Sequence, residues 1–278
     1  MKKLALFVTA VGFVVVSLIA GSAAGRSEAA RIQITAAMTA ADETPAPKGD
    51  VSGARGTFVA TLTKSDGSAV LTWRLTFSNL SGPATAAHIH VASRGQPGPV
   101  RVPLCSPCSS GATGTANIDA ALLNAIENDG AYANVHTAVN PAGEIRGQVS
   151  PVARVTTSLR ARQEVPRPKG NVARARGTFT ATVTGRGTTA VLAWRLTFTR
   201  LTGRAVAAHI HRGGRGTSGP VIVSLCAPCR SGARGQVTVN ASVLQALEAG
   251  RAYVNVHTRR NPLGEIRSQI RAVPLRIS

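Results

Sequence analysis

The chain has 278 residues, with 32 Lys and Arg against 12 Asp and Glu, a formal net charge of +20, and only 4% Phe, Trp and Tyr. A chain this basic attracts polyanions, but so few aromatics argue against a nucleic-acid platform built on base stacking. The basic residues are also spread over many turns rather than gathered into one tract, which argues against sequence-specific nucleic-acid reading.

In chain order, Met1-Lys2-Lys3 and an apolar run over residues 4–20 lead into Gly21-Ser22-Ala23-Ala24. A positive start, an apolar stretch and small residues at the cleavage position describe a secretory signal over residues 1–24. The run also approaches bilayer-spanning length, so an uncleaved anchor is the alternative. Cleavage would leave a protein that is secreted or extracytoplasmic, in the cell envelope, and not membrane-embedded.

Period-two alternation then takes over, with β-branched and aromatic residues over 56–62 and 69–77, and further strands at 31–36, 86–91, 100–104, 132–137 and 144–149. Gly, Pro, Asn and Asp punctuate these runs, as short antiparallel strands require. Asp119 precedes a helix-period run that reaches Glu127, a capped short helix. The whole pattern recurs 121 positions later: His88-Ile89-His90 as His209-Ile210-His211, Cys105 and Cys108 as Cys226 and Cys229, and Asn134-Val135-His136-Thr137 as Asn255-Val256-His257-Thr258. The expected fold is therefore all-β, with two tandem antiparallel sandwich or barrel domains, each with one short helix. They cover residues 31–150 and 154–272, joined by a linker around Ser150-Pro151-Val152-Ala153.

The motifs Ala87-His88-Ile89-His90, Gly98-Pro99-Val100, Tyr132 with Asn134-Val135-His136-Thr137, and Asn140-Pro141-x-Gly143-Glu144-Ile145-Arg146-Gly147-Gln148 resemble the CHRD (chordin-type) domain. The second copy matches through His209, His211, Gly219-Pro220-Val221, Tyr253, His257 and Asn261 to Gln269, departing at Ser268, where the motif has Gly. The resemblance implies an extracellular β-domain, found in a growth-factor antagonist and in many bacterial secreted proteins, without a defined biochemical activity. A weaker likeness to the copper-zinc superoxide dismutase barrel rests on a His-x-His strand plus a distant His. The bridging histidine and zinc loop of that family have no counterpart, so dismutase activity does not follow.

All six histidines occupy three repeat-equivalent positions. On a strand His88 and His90 point to one face, and His136 shares a face with Tyr132 and Asn134. If the strands are neighbours, His88, His90 and His136, and likewise His209, His211 and His257, converge on an exterior patch that suits copper or zinc. The competing reading is a hydrogen-bonded polar surface. Glu144 and Glu265 could orient a histidine from behind, or form a surface ion pair with a neighbouring arginine. The acids Glu164, Glu248 and Glu265 of the second copy match Glu43, Glu127 and Glu144, which points to structural partners.

Each Cys-x-Pro-Cys, Cys105 with Cys108 and Cys226 with Cys229, is read as a local disulfide. A redox couple or a metal site, including four thiols shared between copies, is the alternative. Residues 25–153 carry nine basic and nine acidic side chains, whereas residues 154–278 carry 21 and three, the basic ones nearly all Arg. Arginine is suited to phosphate and carboxylate, so the expected partner is an anionic extracellular or cell-envelope polymer or protein. No Ser-His-Asp set, phosphate loop or catalytic carboxylate pair is recognisable. The sequence therefore reads as a non-catalytic binding protein, with any catalysis routed through the candidate metal.

Overall fold

The computed structural model describes residues 30–65 and 68–276, so the expected signal segment lies outside the described residues. Alternation sets each strand's two faces. In β1 (Arg31–Thr39) Ile32, Ile34, Ala36 and Met38 are buried. In β2 (Arg55–Ser65) Phe58, Ala60 and Leu62 turn to the same interior, as do Ala69, Leu71, Trp73 and Leu75 in β3 (Ser68–Ser78). The strands β4 (Ala84–Val91), β5 (Val100–Cys105), β6 (Thr113–Ile118), β7 (Ala131–Thr137) and β8 (Ile145–Gln148) complete the first copy. Strand β6, with an exposed and polar alternation, was not anticipated; it pairs with β3 from Ala69↔Ile118 to Arg74↔Thr113.

The helix α1 (Ala120–Glu127) is where the sequence places it. The Asp119 carboxylate accepts the Leu122 amide, and Leu122, Leu123 and Ile126 plug the core. Antiparallel pairing runs β6-β3-β2-β1-β8-β7-β4-β5, closing a curled sheet around one apolar core.

The second copy repeats this arrangement around its own core with β9 (Ser150–Arg160), β10 (Arg176–Arg186), β11 (Thr189–Thr199), β12 (Ala205–Arg212), β13 (Val221–Cys226), β14 (Ala233–Val239), α2 (Ala241–Glu248), β15 (Ala252–Thr258) and β16 (Ile266–Ile270). The all-β expectation with one short helix per copy is met. Among the described residues no helix is long and apolar enough to cross a membrane.

The junction differs from expectation. Ser150–Val152 is the start of β9 and pairs with Thr35, Ile34 and Gln33 of β1, while the same strand continues from Val152 to Arg160 against β10. One strand thus closes the first copy and opens the second, so the 16 strands form one hydrogen-bonded sheet. The residues read as a linker carry β-compatible side chains on both sides of Pro151, and nothing local signals that the flanking strands are continuous.

The change from Gly147 to Ser268 is accommodated across the sheet. A Cβ at Gly147 would overlap the Ala37 carbonyl, whereas Ser268 hydrogen-bonds the Thr157 hydroxyl, and Thr157 stands where the first copy has Ala36. We expect backbone amides around Ile34 and Val152 to exchange with deuterium as slowly as those of neighbouring strands; exchange within seconds would mark a true linker.

Candidate metal centre

Strand pairing brings the histidines together. On β4, Ala87 and Ile89 enter the core, leaving His88 and His90 on the opposite side. Across the pair, His88 lies opposite Asn134, His90 opposite Tyr132, and His136 opposite Ala86. The ligating atoms of His88, His90 and His136 lie within 4.8 Å of one another, and those of His209, His211 and His257 do the same. The clusters are more enclosed than the exterior patch expected, since His90, His136, His211 and His257 are buried.

The nearest nitrogens are His88 Nδ1 and His136 Nε2, 3.0 Å apart, and His209 Nδ1 and His257 Nε2, 3.1 Å apart. Two imidazoles on one ion, with bonds of ~2.0–2.1 Å, place their nitrogens about 2.9 Å apart at a right angle and about 3.4 Å apart at the tetrahedral angle. The observed spacings fall within that range.

Backbone carbonyls decide which nitrogens face inward. The Nδ1–H of His90 donates to the Gly98 carbonyl at 2.8 Å and that of His136 to the Pro141 carbonyl at 3.0 Å. In the second copy His211 donates to Gly219 at 2.9 Å and His257 to Pro262 at 2.9 Å. With Nδ1 protonated, each Nε2 keeps its lone pair for the cluster. The Nε2 atoms of His90 and His211 are buried and make no hydrogen bond of good geometry, while the Asn134 and Asn255 side chains lie close enough to favour ring protonation. His88 and His209 then supply Nδ1. Without an ion, that Nδ1 carries the proton that bonds the facing Nε2; as a ligand the ring would be the neutral tautomer protonated at its outer nitrogen.

A second layer clamps His90. Its ring stacks on Tyr132 with centroids 4.8 Å apart, and the Arg146 guanidinium covers the Tyr132 ring at 3.4 Å. Arg146 is held by its N–H bond to the Ser93 carbonyl, 3.0 Å, and the Tyr132 hydroxyl accepts the Gly98 amide at 3.2 Å. Gly98 must be glycine, because a Cβ there would overlap the Val91 carbonyl. Buried Glu43 lies within electrostatic reach of Arg146, which opposes the larger rise in its pKa from burial. The second copy reproduces the stack with His211, Tyr253, Arg267 and Glu164. The sequence placed Tyr132 and Asn134 on the histidine face but did not reveal the Arg146–Tyr132–His90 stack; the signal was the recurrence of Glu43, Tyr132 and Arg146 as Glu164, Tyr253 and Arg267.

Glu144 takes a different position from the one expected. Its fully buried carboxylate accepts the Ser81 amide at 2.6 Å, the Ser81 hydroxyl, the Thr137 hydroxyl at 2.7 Å and the Asn140 amide at 2.9 Å. These contacts fasten the turn that presents Pro141 to His136. They are neither a direct histidine contact nor an ion pair with Arg146, whose guanidinium lies on Tyr132. Glu265 does the same through Thr202, Thr258 and Asn261. Burial alone raises the Glu144 pKa, but the bonds from Ser81, Asn140 and Thr137 together hold it below the ordinary carboxylate value.

The cysteines pair within each copy, Cys105 with Cys108 and Cys226 with Cys229, which leaves no thiols for a shared metal. Such bridges persist in oxidising compartments.

Burial first, then repulsion from His136 and His90, lowers the pKa of His88 to about 4. His257 is lowered to about 4 by burial, against the Pro262 hydrogen bond and with His209 and His211 adding to it. The other four histidines are lowered too, burial being the largest cause in each. The lowered values favour the uncharged form of all six rings at neutral pH, the form that ligates a cation.

Comparison with known families gives one match: a family model described as CHRD domain fits residues 34–149 and again residues 155–270. No curated protein and no solved structure matches the chain.

Two outcomes are expected. Glu144→Ala strands four donors and should cost about 3 kcal/mol or more, read as a lower urea midpoint, with the His136 signals disturbed in NMR spectra. In the ion-free protein, NMR titration should find the six histidines protonating below 6.5, with His88 and His257 near 4. The sign for stability follows: between those values the unfolded chain binds more protons, so the histidines remove stability as pH falls through that window. The raised pKa values of Glu43 and Glu164 act in the opposite direction.

Proposed function

The chain belongs to the CHRD domain family, and on that basis we propose that it is an exported, non-catalytic binding protein whose two copies each hold one transition-metal ion. The observation that carries this reading is the convergence, in both copies, of three imidazoles whose ligating atoms lie within 4.8 Å of one another. The donor set contains no thiolate and no carboxylate, and three imidazoles suit copper ahead of zinc. His88, His90 and His136 would supply three ligands and leave a coordination position open. The ion would serve as cargo or as a structural cross-link; redox chemistry at the open position is a route the ligand set permits.

A second reading concerns the partner. The charge excess lies almost wholly in residues 154–278, which favours an anionic polymer or protein of the envelope or extracellular space at the second copy, attracted through charge without sequence reading.

Elemental analysis of purified protein after dialysis, with copper and zinc titrations, tests the first reading. About two ions per chain are expected, falling to about one when His88, His90 and His136 are all replaced by alanine. Failure to retain either ion, or retention unchanged in that variant, would overturn it.

A further inference from the structure

The two copies share a backbone but not a surface, which makes the first a built-in control for the second. At the end of the second copy where the turn after β11, the Cys226–Cys229 loop and the turn after β15 meet, a cleft of about 1390 Å³ opens. Arg200, Arg204, Arg230, Arg259 and Arg260 line it, and no acid does. The nearest carboxylate, Glu265, is buried below, its oxygens taken by Thr202, Thr258 and Asn261.

At the five equivalent positions, 121 earlier, the first copy has Asn79, Pro83, Ser109, Ala138 and Val139, none of them charged. The local backbone is the same. Asn79 and Arg200 both have φ 58, Ala112 bonds the Ser109 carbonyl as Ala233 bonds that of Arg230, and Thr137 bonds the Asn140 carbonyl as Thr258 bonds that of Asn261. Folding therefore does not require these arginines. At position 200 it favours the other choice, because the left-handed conformation suits Asn better than Arg.

We infer that this cleft is a binding site for a linear polymer of phosphate groups, present in the second copy alone; the inference rests on the anionic-partner reading above. Three segments bring five arginines to the lining of one cavity, with the Arg260 guanidinium at its edge against Gly170. A carboxylate presents its two oxygens in one plane, whereas a phosphate offers tetrahedral oxygens that several forks can approach from different sides at once. The cleft is also far larger than a single phosphate needs, which points to several groups in series. Guanidinium groups stay charged at every accessible pH, so binding depends on salt rather than on protonation of the site.

The test exchanges surfaces within the full chain. The cleft variant carries R200N, R204P, R230S, R259A and R260V, each the residue the first copy uses on the same backbone. The control variant carries R154Q, R162A, R186S, R234T and R251G, also first-copy residues and the same loss of charge, but away from the cleft. Binding of inorganic polyphosphate is measured by calorimetry at two salt concentrations. The cleft variant should lose affinity on the order of 100-fold, and the control variant about threefold or less.

Equal losses in both variants would overturn the site while leaving a diffuse anionic attraction standing. Absence of polyphosphate binding by the unaltered protein would overturn both. Equally tight binding of charge-matched polyglutamate would overturn the choice of phosphate. Binding confined to anionic phospholipid vesicles would overturn the free polymer as the source.

Discussion

Strand β7 is buried along its whole length, on both faces, and it carries polar side chains on one of them. Ala131, Ala133 and Val135 fill the core on one side; Tyr132, Asn134 and His136 are buried on the other, and Thr137 is buried at the strand's end. Polar groups withdrawn from water must find partners inside the protein, and much of the architecture around the strand answers that demand. Thr137 bonds the Glu144 carboxylate, His136 bonds a turn carbonyl, and the Tyr132 hydroxyl receives the Gly98 amide. Repetition of each contact in β15 shows that the network belongs to the fold of the copy rather than to one sequence.

Within that network a few buried atoms find no hydrogen-bond partner, His90 Nε2, Asn134 Oδ1 and Arg146 Nη1 among them. Nδ1 of His90 and of His136 is committed to a backbone carbonyl, which fixes the tautomer and turns Nε2 toward its neighbours. Main-chain partners hold the rings through the turns that carry them, so the positions of Gly98 and Pro141 control the cluster as much as the histidines do. The Glu144-pinned turn and the Arg146–Tyr132–His90 stack hold the segments that carry those carbonyls and rings. A preorganised cluster of neutral imidazoles loses little freedom on taking an ion, and burial keeps the rings free of competing protons at neutral pH.

Duplication separates what the fold needs from what one copy has added. Residues common to both copies at equivalent positions include the histidines, the stacked Tyr and Arg, the turn carboxylate and the cysteines. Charge is where the copies part, and the arginines accumulate on turns that the first copy builds with small or apolar residues. The shared strand β9 holds two surfaces of different character in one continuous sheet.

Strand placement, the capped helix, the tandem copies and the grouping of the histidines were legible in the sequence. Each follows from local periodicity or from internal repetition: Ile32 and Ile34 alternate with polar neighbours, Asp119 precedes a helical run, and His-x-His on a strand fixes a shared face. The fate of Glu144, the stack over His90 and the continuity of the chain through Pro151 were decided by tertiary structure. The Glu144 carboxylate binds Ser81, 63 residues away in sequence, and Arg146 reaches the carbonyl of Ser93 across 53. Burial of Glu144 came from the turn folding over it, whereas strand alternation alone placed it on a hairpin surface. The arginine cleft is of the same kind, since its five cations come from three turns that only the closed sheet brings together. Local pattern determines which way a side chain points; what it meets there depends on segments that share no pattern with it.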